Sequence, residues 1–272
     1  MEINSKKKNL QRAFNRAAKT YDNASYLQKE ICERLLDRAD MINIQPDYIL
    51  DLGAGTGYGA FSLLKKYQNS SIVALDFSES MLDSLAIRNN QKSLLLLNAD
   101  FEKIPVQSSS IDLVFSSSSL QWALSREACF HEIKRVLSPQ GIFLFTTYGP
   151  DTLKELRECW GTIDDHEHVN AFTDMHHIGD ELLEHSFQDP VVDKEILTVK
   201  YETVLDLQKD LKGIGSSNAL ENKTHSLTSP NRMHSMYKEY EKLRQKDGKL
   251  PATFEVIYGH AWQGSIPIDL YK

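Results

Sequence analysis

Residues 49–60 read ILDLGAGTGYGA, an apolar run that ends in an acid and then breaks into glycines. Such a run reads as a strand buried on both faces that turns at once into a helix. Gly53, Gly55 and Gly57 let the backbone approach a ligand closely, and the helix that follows offers unpaired N–H groups. Those groups suit either a pyrophosphate or the carboxylate of an amino acid. The dinucleotide fingerprint G-x-G-x-x-G fails from Gly53, where Tyr58 takes the third place. From Gly55 it is met only with Ala60 as its last residue. Taken alone, the turn leaves the ligand open.

Working outward, the same kind of short apolar run recurs. YILDLG (48–53), SIVALD (71–76), SLLLLNAD (93–100), IDLVFSSSS (111–119) and GIFLFTTY (141–148) alternate with helical stretches such as SESMLDSLAIRNN and REACFHEIKRVL. Strand and helix in alternation predict an α/β fold with a doubly wound, mostly parallel sheet. Before it, residues 10–40 carry a helical stripe through Leu27, Ile31 and Leu35 that ends before Pro46. After Tyr148, TDMHHIGDELLEHSF predicts a helix starting at Thr173 or Asp174. VVDKEILTVKY (191–201) and FEVIYGHAW (254–262) predict two later strands. Residues 203–250 between them read as helical, interrupted by KGIGSSN and TSPN. The organisation expected is one domain. Its parts are an N-terminal helical cap (1–44), a cofactor-binding half (45–150) and C-terminal strands (151–272) carrying a helical lid at about 203–250.

Two further acids narrow the ligand. Asp76 ends the second strand nineteen residues past Gly57, where an acid can take both ribose hydroxyls of an adenosine. Asp100 ends NAD after the third strand and can accept from an adenine amino group, with Phe101 beside the ring. Asp76 and Asp100 equally suit strand ends that cap helices.

Asp51, the glycine turn, Asp76 and NADFEKIP together resemble the class I S-adenosylmethionine-dependent methyltransferases. The resemblance covers about residues 45–150. It implies a seven-stranded sheet whose last strand is antiparallel. It also implies Gly53, Gly55 and Gly57 around the methionine part, Asp76 on the ribose, and Asp100 with Phe101 on the adenine. Asp51, Phe77, Met81, Ser116 and Ser117 complete the candidate cofactor residues. The flanks resemble a narrower family. FNRAAKTYDNASYLQKEI, LQWAL, FTTYGPDTLKELRECW, VNAFTDMHHIGDELLEHSF, LKGIGSSNAL and LPATFEVIYGHAW occur in that order. In series they resemble the biotin-synthesis methyltransferases that esterify the free carboxyl of malonyl-acyl-carrier protein. The pattern departs after strand four, where those relatives carry an amide residue and this chain has the run Ser116–Ser119.

The chemistry implied needs little acid–base help. A malonyl carboxylate is already ionised near neutral pH, so no general base is required. Orientation and exclusion of water are the expected contributions. Arg157 and Arg232 are candidates to hold the carboxylate, since guanidinium pairs with it bidentately. Tyr21, in TYD, is a candidate to close over the methionine end or guide the methyl, and Tyr148 and Trp122 are candidates just past strand ends, where such sheets bind ligands.

Composition bounds the partners. The net charge of −7 argues against a general nucleic-acid binder, and no stretch has the roughly 18 consecutive apolar residues of a membrane span. Three scattered cysteines and no secretory signal favour a cytoplasmic setting. Residues 151–190 hold eleven acids against Lys154 and Arg157. The first twenty residues hold six bases against Glu2, and residues 230–249 hold six against three acids. Those two basic stretches are the expected platform for an acidic acyl carrier protein, and the acidic segment is expected to face away. The histidines at 166–168 and 176–177 lack metal-ligand spacing, so no metal is expected. Three rivals stay open: a methyltransferase of another small acid or quinone ring, a nicotinamide-dependent oxidoreductase, and a non-catalytic cofactor-binding module.

Overall fold

The strands form where apolar runs are too short for helices and end in turn residues. They are β1 (Tyr48–Leu52), β2 (Ser71–Asp76), β3 (Leu94–Asn98), β4 (Ile111–Ser116), β5 (Leu137–Tyr148), β6 (Gln188–Tyr201) and β7 (Leu250–Trp262). A computed structural model describes residues 2–216 and 229–264 of the chain, residues 2–4 by backbone only. The part of the expected helical insertion at 217–228 lies outside the described residues.

All seven strands join one sheet in the order β3-β2-β1-β4-β5-β7-β6. β1 pairs in parallel with both β2 and β4, so the strand order reverses at β1. β7 runs antiparallel to β5 and to β6, the reversed last strand that the resemblance implies. Pro190 sits near the start of β6, which pairs only with β7. An edge strand tolerates a residue without an N–H donor.

The helices are α1 (Glu2–Ala17), α2 (Tyr21–Ala24), α3 (Tyr26–Ala39), α4 (Tyr58–Lys66) and α5 (Glu79–Arg88) in the first half. They continue as α6 (Arg126–Val136), α7 (Lys154–Gly161), α8 (Met175–Glu184), α9 (Val204–Gly213) and α10 (Pro230–Glu241). The expected helical stretch at 10–40 therefore starts earlier and is broken twice, before and after α2. Asp174, one of the two start signals, caps α8 by accepting from the His176 N–H. α7 was not expected as a helix. No side chain caps it, and its N-cap is Leu153 at φ 54°, so the usual start signal is missing.

Alternation along the strands splits the core into two layers. Ile49, Ile72 and Ala74 face one side with Leu27, Ile31 and Leu35 of α3 and Leu63 of α4. Leu50, Leu52 and Leu75 face the other with Phe130 and Ile133 of α6 and Leu182 of α8. Each fully buried Leu or Phe contributes roughly 1.5–3 kcal/mol. A third, smaller cluster joins Leu10, Phe14, Ala17 and Ala18 of the first helical stretch to Met81 of α5. It places α1 over the β2–α5 connection. Among the described residues no helix is long and apolar enough to cross a membrane.

Candidate active site

In a doubly wound sheet, ligands bind at the carboxyl ends of the strands where the order reverses. Here that point lies between β1 and β4, and the glycine turn sits on it. All three turn glycines adopt left-handed backbone: φ is 79° at Gly53, 54° at Gly55 and 94° at Gly57. Their surroundings differ. A Cβ on Gly53 would lie 2.4 Å from Ser119 Cβ, and one on Gly57 would lie 2.5 Å from Leu85 Cγ. A Cβ on Gly55 would meet only Tyr21 Cε1, at 4.0 Å. Gly53 and Gly57 are thus required by packing, while Gly55 faces open space beneath Tyr21.

Two buried carboxylates flank the turn. Asp76 Oδ2 accepts from the Gly55 N–H at 2.8 Å and Oδ1 from the Ser78 N–H at 2.8 Å. Burial pushes its pKa up to about 6 against those two hydrogen bonds. A carboxylate has about four lone-pair sites, so acceptor capacity remains for ribose hydroxyls. Asp51 packs against the first turn of α4, 3.2 Å from where a Cβ on Gly59 would lie. Burial, and then the negative charge of Asp76, push its pKa up to about 7, and its Oδ2 has no hydrogen-bond partner.

Unpartnered buried polar atoms are uncommon in folded proteins. Among the described residues they include Ser25 Oγ, Gln28 Oε1, Asp51 Oδ2 and Gln121 Oε1 around this end of the sheet, and Asp164 Oδ2, the Tyr258 hydroxyl and His260 Nε2 elsewhere. Gln28 Nε2 donates to the Tyr148 hydroxyl at 3.3 Å. Gln28, on α3, was not singled out from the sequence. Its one signal is a polar residue between the buried Leu27 and Ile31. The serine run divides by role. Ser119 Oγ donates to the Leu52 carbonyl at 2.7 Å and takes the Ser116 hydroxyl at 2.7 Å, so Ser116 is engaged internally. Ser117 instead meets the Cys32 thiol of α3.

Tyr21 is half-buried, and burial raises its pKa, with Tyr148 and Asp76 adding to the rise. Burial likewise raises Tyr148. Both hydroxyls therefore stay protonated at neutral pH. Phe172 packs edge-on against the Tyr148 ring at 5.8 Å. α2 is bound to the turn: Asp22 Oδ1 accepts from Thr56 Oγ1 at 2.5 Å, and Asp22 pairs with Arg88 at 3.3 Å.

α1 packs over the start of α5. Phe14 meets Phe77 edge-on at 5.8 Å and Trp122 at 5.3 Å, and Met81 is buried beneath the same helix. Gln11 Nε2 donates to the Phe77 carbonyl at 2.6 Å. Lys7 pairs with Asp100, and with Glu102 at 2.6 Å. Asp100, the expected adenine acceptor, is thus already tied to the first helix. Phe101 lies in the apolar layer that contains Leu75 and Leu120. Nothing in the sequence marked Lys7 apart from its basic neighbours.

The two arginines lie farther along the chain and are engaged. Arg157 donates to the Pro150 carbonyl at 2.8 Å and the Thr152 carbonyl at 3.0 Å, holding the turn after β5. Arg232 pairs with Asp164 at 3.6 Å. Asp164 also meets His168, whose ring stacks on Trp160 at 3.7 Å.

Comparison with known proteins places this arrangement. A family model described as a methyltransferase domain matches residues 50–145. The malonyl-[acyl-carrier protein] O-methyltransferase of Nitrosospira multiformis is 42% identical, over 94% of this chain and 89% of its own. The protein of that name from Methylovorus sp. is 42% identical over 97% and 91%. Among solved structures, the YcgJ protein of Bacillus subtilis aligns with TM-score 0.61 at 13% identity, over 85% of this chain and 97% of its own. A phosphoethanolamine N-methyltransferase of Haemonchus contortus, in complex with S-adenosyl-L-methionine, aligns with TM-score 0.58 at 16% identity, over 92% of this chain and 57% of its own.

Proposed function

The chain belongs to the malonyl-[acyl-carrier protein] O-methyltransferase family, and from that premise we propose that it methylates the free carboxylate of a malonyl thioester on an acyl carrier protein. The near-full-length identity to proteins of that name carries the reading. The product ester hides a charge from enzymes that elongate apolar acyl chains, as the sequence resemblance to biotin-synthesis enzymes implies. The methyl donor is S-adenosylmethionine, which supplies an electrophilic methyl group on a sulfonium centre.

The residues at the switch point fit that donor. The backbone of Gly53–Gly57 and the N-terminus of α4 suit its amino-acid carboxylate. Asp51 Oδ2, buried and without a partner, and the Ser117 hydroxyl, which meets the Cys32 thiol, suit polar groups of the methionine end. Asp76 retains acceptor sites for the ribose. Asp100 and Phe101 take the adenine side, with Phe77, Met81 and Trp122 forming an apolar wall under α1.

The chain's own work is orientation and exclusion of water. A malonyl carboxylate arrives ionised, so no residue needs to remove a proton. Tyr21 and Tyr148, neutral as tyrosines ordinarily are near pH 7 and more firmly so where buried, can donate to it and aim one oxygen at the methyl group. Arg157 and Arg232 remain candidates for the second oxygen through N–H donors not used in their present contacts. α1, pinned by Lys7 and packed through Phe14, keeps bulk water from the nucleoside side.

For the carrier, ion pairing divides the two basic stretches. In residues 230–249, Lys242 pairs with Glu239, Arg244 with Glu241, Lys249 with Glu202 and Arg232 with Asp164, which leaves Lys238 and Lys246 without an ion-pair partner among the described residues. On α1, Lys7 is engaged with Asp100 and Glu102, but Arg12 and Arg16 have no ion-pair partner among the described residues. Unpaired cations attract an acidic partner more effectively than neutralised ones. α1 is therefore the stronger docking face.

Mass spectrometry of malonyl-carrier protein incubated with the donor tests the function. One added methylene unit on the malonyl group is expected. Methylation of free malonate or a quinone ring with no change in the carrier-bound substrate would overturn the reading.

A further inference from the structure

A cleft of about 480 Å³ opens between the end of α1, the short α2 and the end of α9. Its floor is built by small residues. A Cβ on Gly213 would lie 2.6 Å from Ala24 Cβ, and one on Gly215 would lie 3.3 Å from Ala17 Cβ. Thr20 Oγ1 bridges the helices by donating to the Gly213 carbonyl at 3.1 Å. Arg16 from α1 and Lys209 and Lys212 from α9 stand around this floor, with Thr20 and Asn23 as further hydrogen-bonding side chains. Lys209 pairs with Asp206 at 3.0 Å, but Arg16 and Lys212 have no partner among the described residues. The one acid in the lining, Asp210, interacts with the Tyr201 hydroxyl.

Cations in the last turn complement the carbonyl end of a helix, and that accounts for one basic residue on each of α1 and α9. It does not account for their convergence from two helices on one cleft, nor for the polar side chains between them. The position adds to this. α2 is a single turn with the cleft on one side, through Asn23 and Ala24, and the glycine turn on the other. Tyr21 faces Gly55, and Asp22 holds Thr56. The cleft and the glycine turn therefore share α2 as a common wall.

Acyl carrier proteins present their cargo on phosphopantetheine, a flexible amide chain joined to a serine through a phosphodiester. We propose that this cleft binds the phosphate of that arm through Arg16 and Lys212, so that the thioester passes α2 to reach Tyr21 and Tyr148. The proposal rests on the carrier-bound substrate argued above and adds the group that anchors it. A phosphate held between a guanidinium and an ammonium makes charge-assisted hydrogen bonds, the stronger class.

The test compares malonyl-pantetheine with malonyl-phosphopantetheine, which differ only in the phosphate. The wild-type chain is expected to methylate the phosphorylated thioester with kcat/KM about tenfold higher. The Arg16→Ala/Lys212→Ala double variant is expected to bring the two within about twofold, and Arg16→Lys to keep most of the preference. Circular dichroism establishes that the variants fold. A wild type that treats both thioesters alike, or a double variant that keeps the full preference, overturns the site while leaving the proposed function standing. If neither thioester is methylated, the proposed function fails and the cleft is judged by calorimetry. Phosphopantetheine must then bind more tightly than pantetheine to the wild type and equally to the double variant. Any other pattern overturns it. If the cations only complement their helices, the double variant melts at a lower temperature with the substrate preference unchanged.

Discussion

Tyr21 Cε1 stands 4.0 Å from the place a Cβ would occupy on Gly55, whereas the corresponding place on Gly53 is already filled by Ser119 at 2.4 Å. Alanine at either position accepts left-handed backbone at about 1–2 kcal/mol. Gly53→Ala adds overpacking of about 1–3 kcal/mol, because Ser119 Cβ is fixed close to its own backbone. Gly55→Ala places its methyl group in the space beneath Tyr21. We expect Gly53→Ala to lower Tm more, and Gly55→Ala to lose S-adenosylhomocysteine affinity by more than about tenfold while staying folded. Thermal melts and calorimetry separate the two. Equal Tm losses with unchanged affinity would remove Gly55 from the ligand site.

The buried acids predict a pH signature. Asp51 ionises near its ordinary value when the chain is unfolded, but only at about 7 when folded. Its folded form thus binds the proton more tightly, and the stability this contributes is lost as pH rises from 3.8 through about 7. Asparagine cannot titrate. The Tm of Asp51→Asn minus that of wild type should therefore be more positive at roughly pH 8 than at roughly pH 5. A difference independent of pH would show that Asp51 is not held protonated. A donor carrying positive charge should in turn favour the ionised acid, so its binding should release protons below about pH 7.

Tyr21→Phe and Tyr148→Phe remove hydroxyls without removing rings. A hydrogen bond to a charged group is worth about 1.5–3 kcal/mol, so each change should slow single-turnover methyl transfer about ten- to hundredfold. Affinity for S-adenosylhomocysteine should stay nearly constant. Rates within about twofold of wild type would reduce both residues to pocket walls.

Arg157 already holds the carbonyls of Pro150 and Thr152, so its removal should lower Tm by a few degrees. If its remaining donors also hold the substrate carboxylate, Arg157→Ala should raise KM for the carrier-bound substrate about tenfold with cofactor Kd unchanged. A lower Tm with an unchanged KM would confine it to the loop.

Docking by opposite charge weakens with ionic strength, so KM for the carrier substrate should rise with added salt. Reversing the unpaired Arg12 should raise KM more than reversing Lys242, which is neutralised by Glu239 at 2.5 Å. The opposite order would move the docking face to α10.

Periodicity exposed the sheet because its strands are buried on both faces and end at turns, as SIVALD and IDLVFSSSS do. It missed α7 because Leu153 enters that helix with no side-chain cap, although Leu156, Cys159 and Trp160 carry helical spacing. The glycine turn and Asp76 were legible because their chemistry is local to a strand end. The engagement of Lys7 with Asp100, and the pairing of four of the six bases in residues 230–249, were not. An ion pair between residues ninety-three positions apart leaves no trace in either segment. The serine run was legible as a departure, yet only packing showed that Ser116 is tied to Ser119 and that Ser117 meets Cys32.

The first helix lies directly on the wall of Phe77 and Met81, and Lys7 reaches the acid assigned to the adenine. That has a practical side for anyone who purifies the molecule. A bulky affinity tag fused ahead of this helix would hang beside the proposed nucleoside site and prise at the Lys7–Asp100 pair. Weak donor binding in such a fusion would then reflect the handle rather than the enzyme.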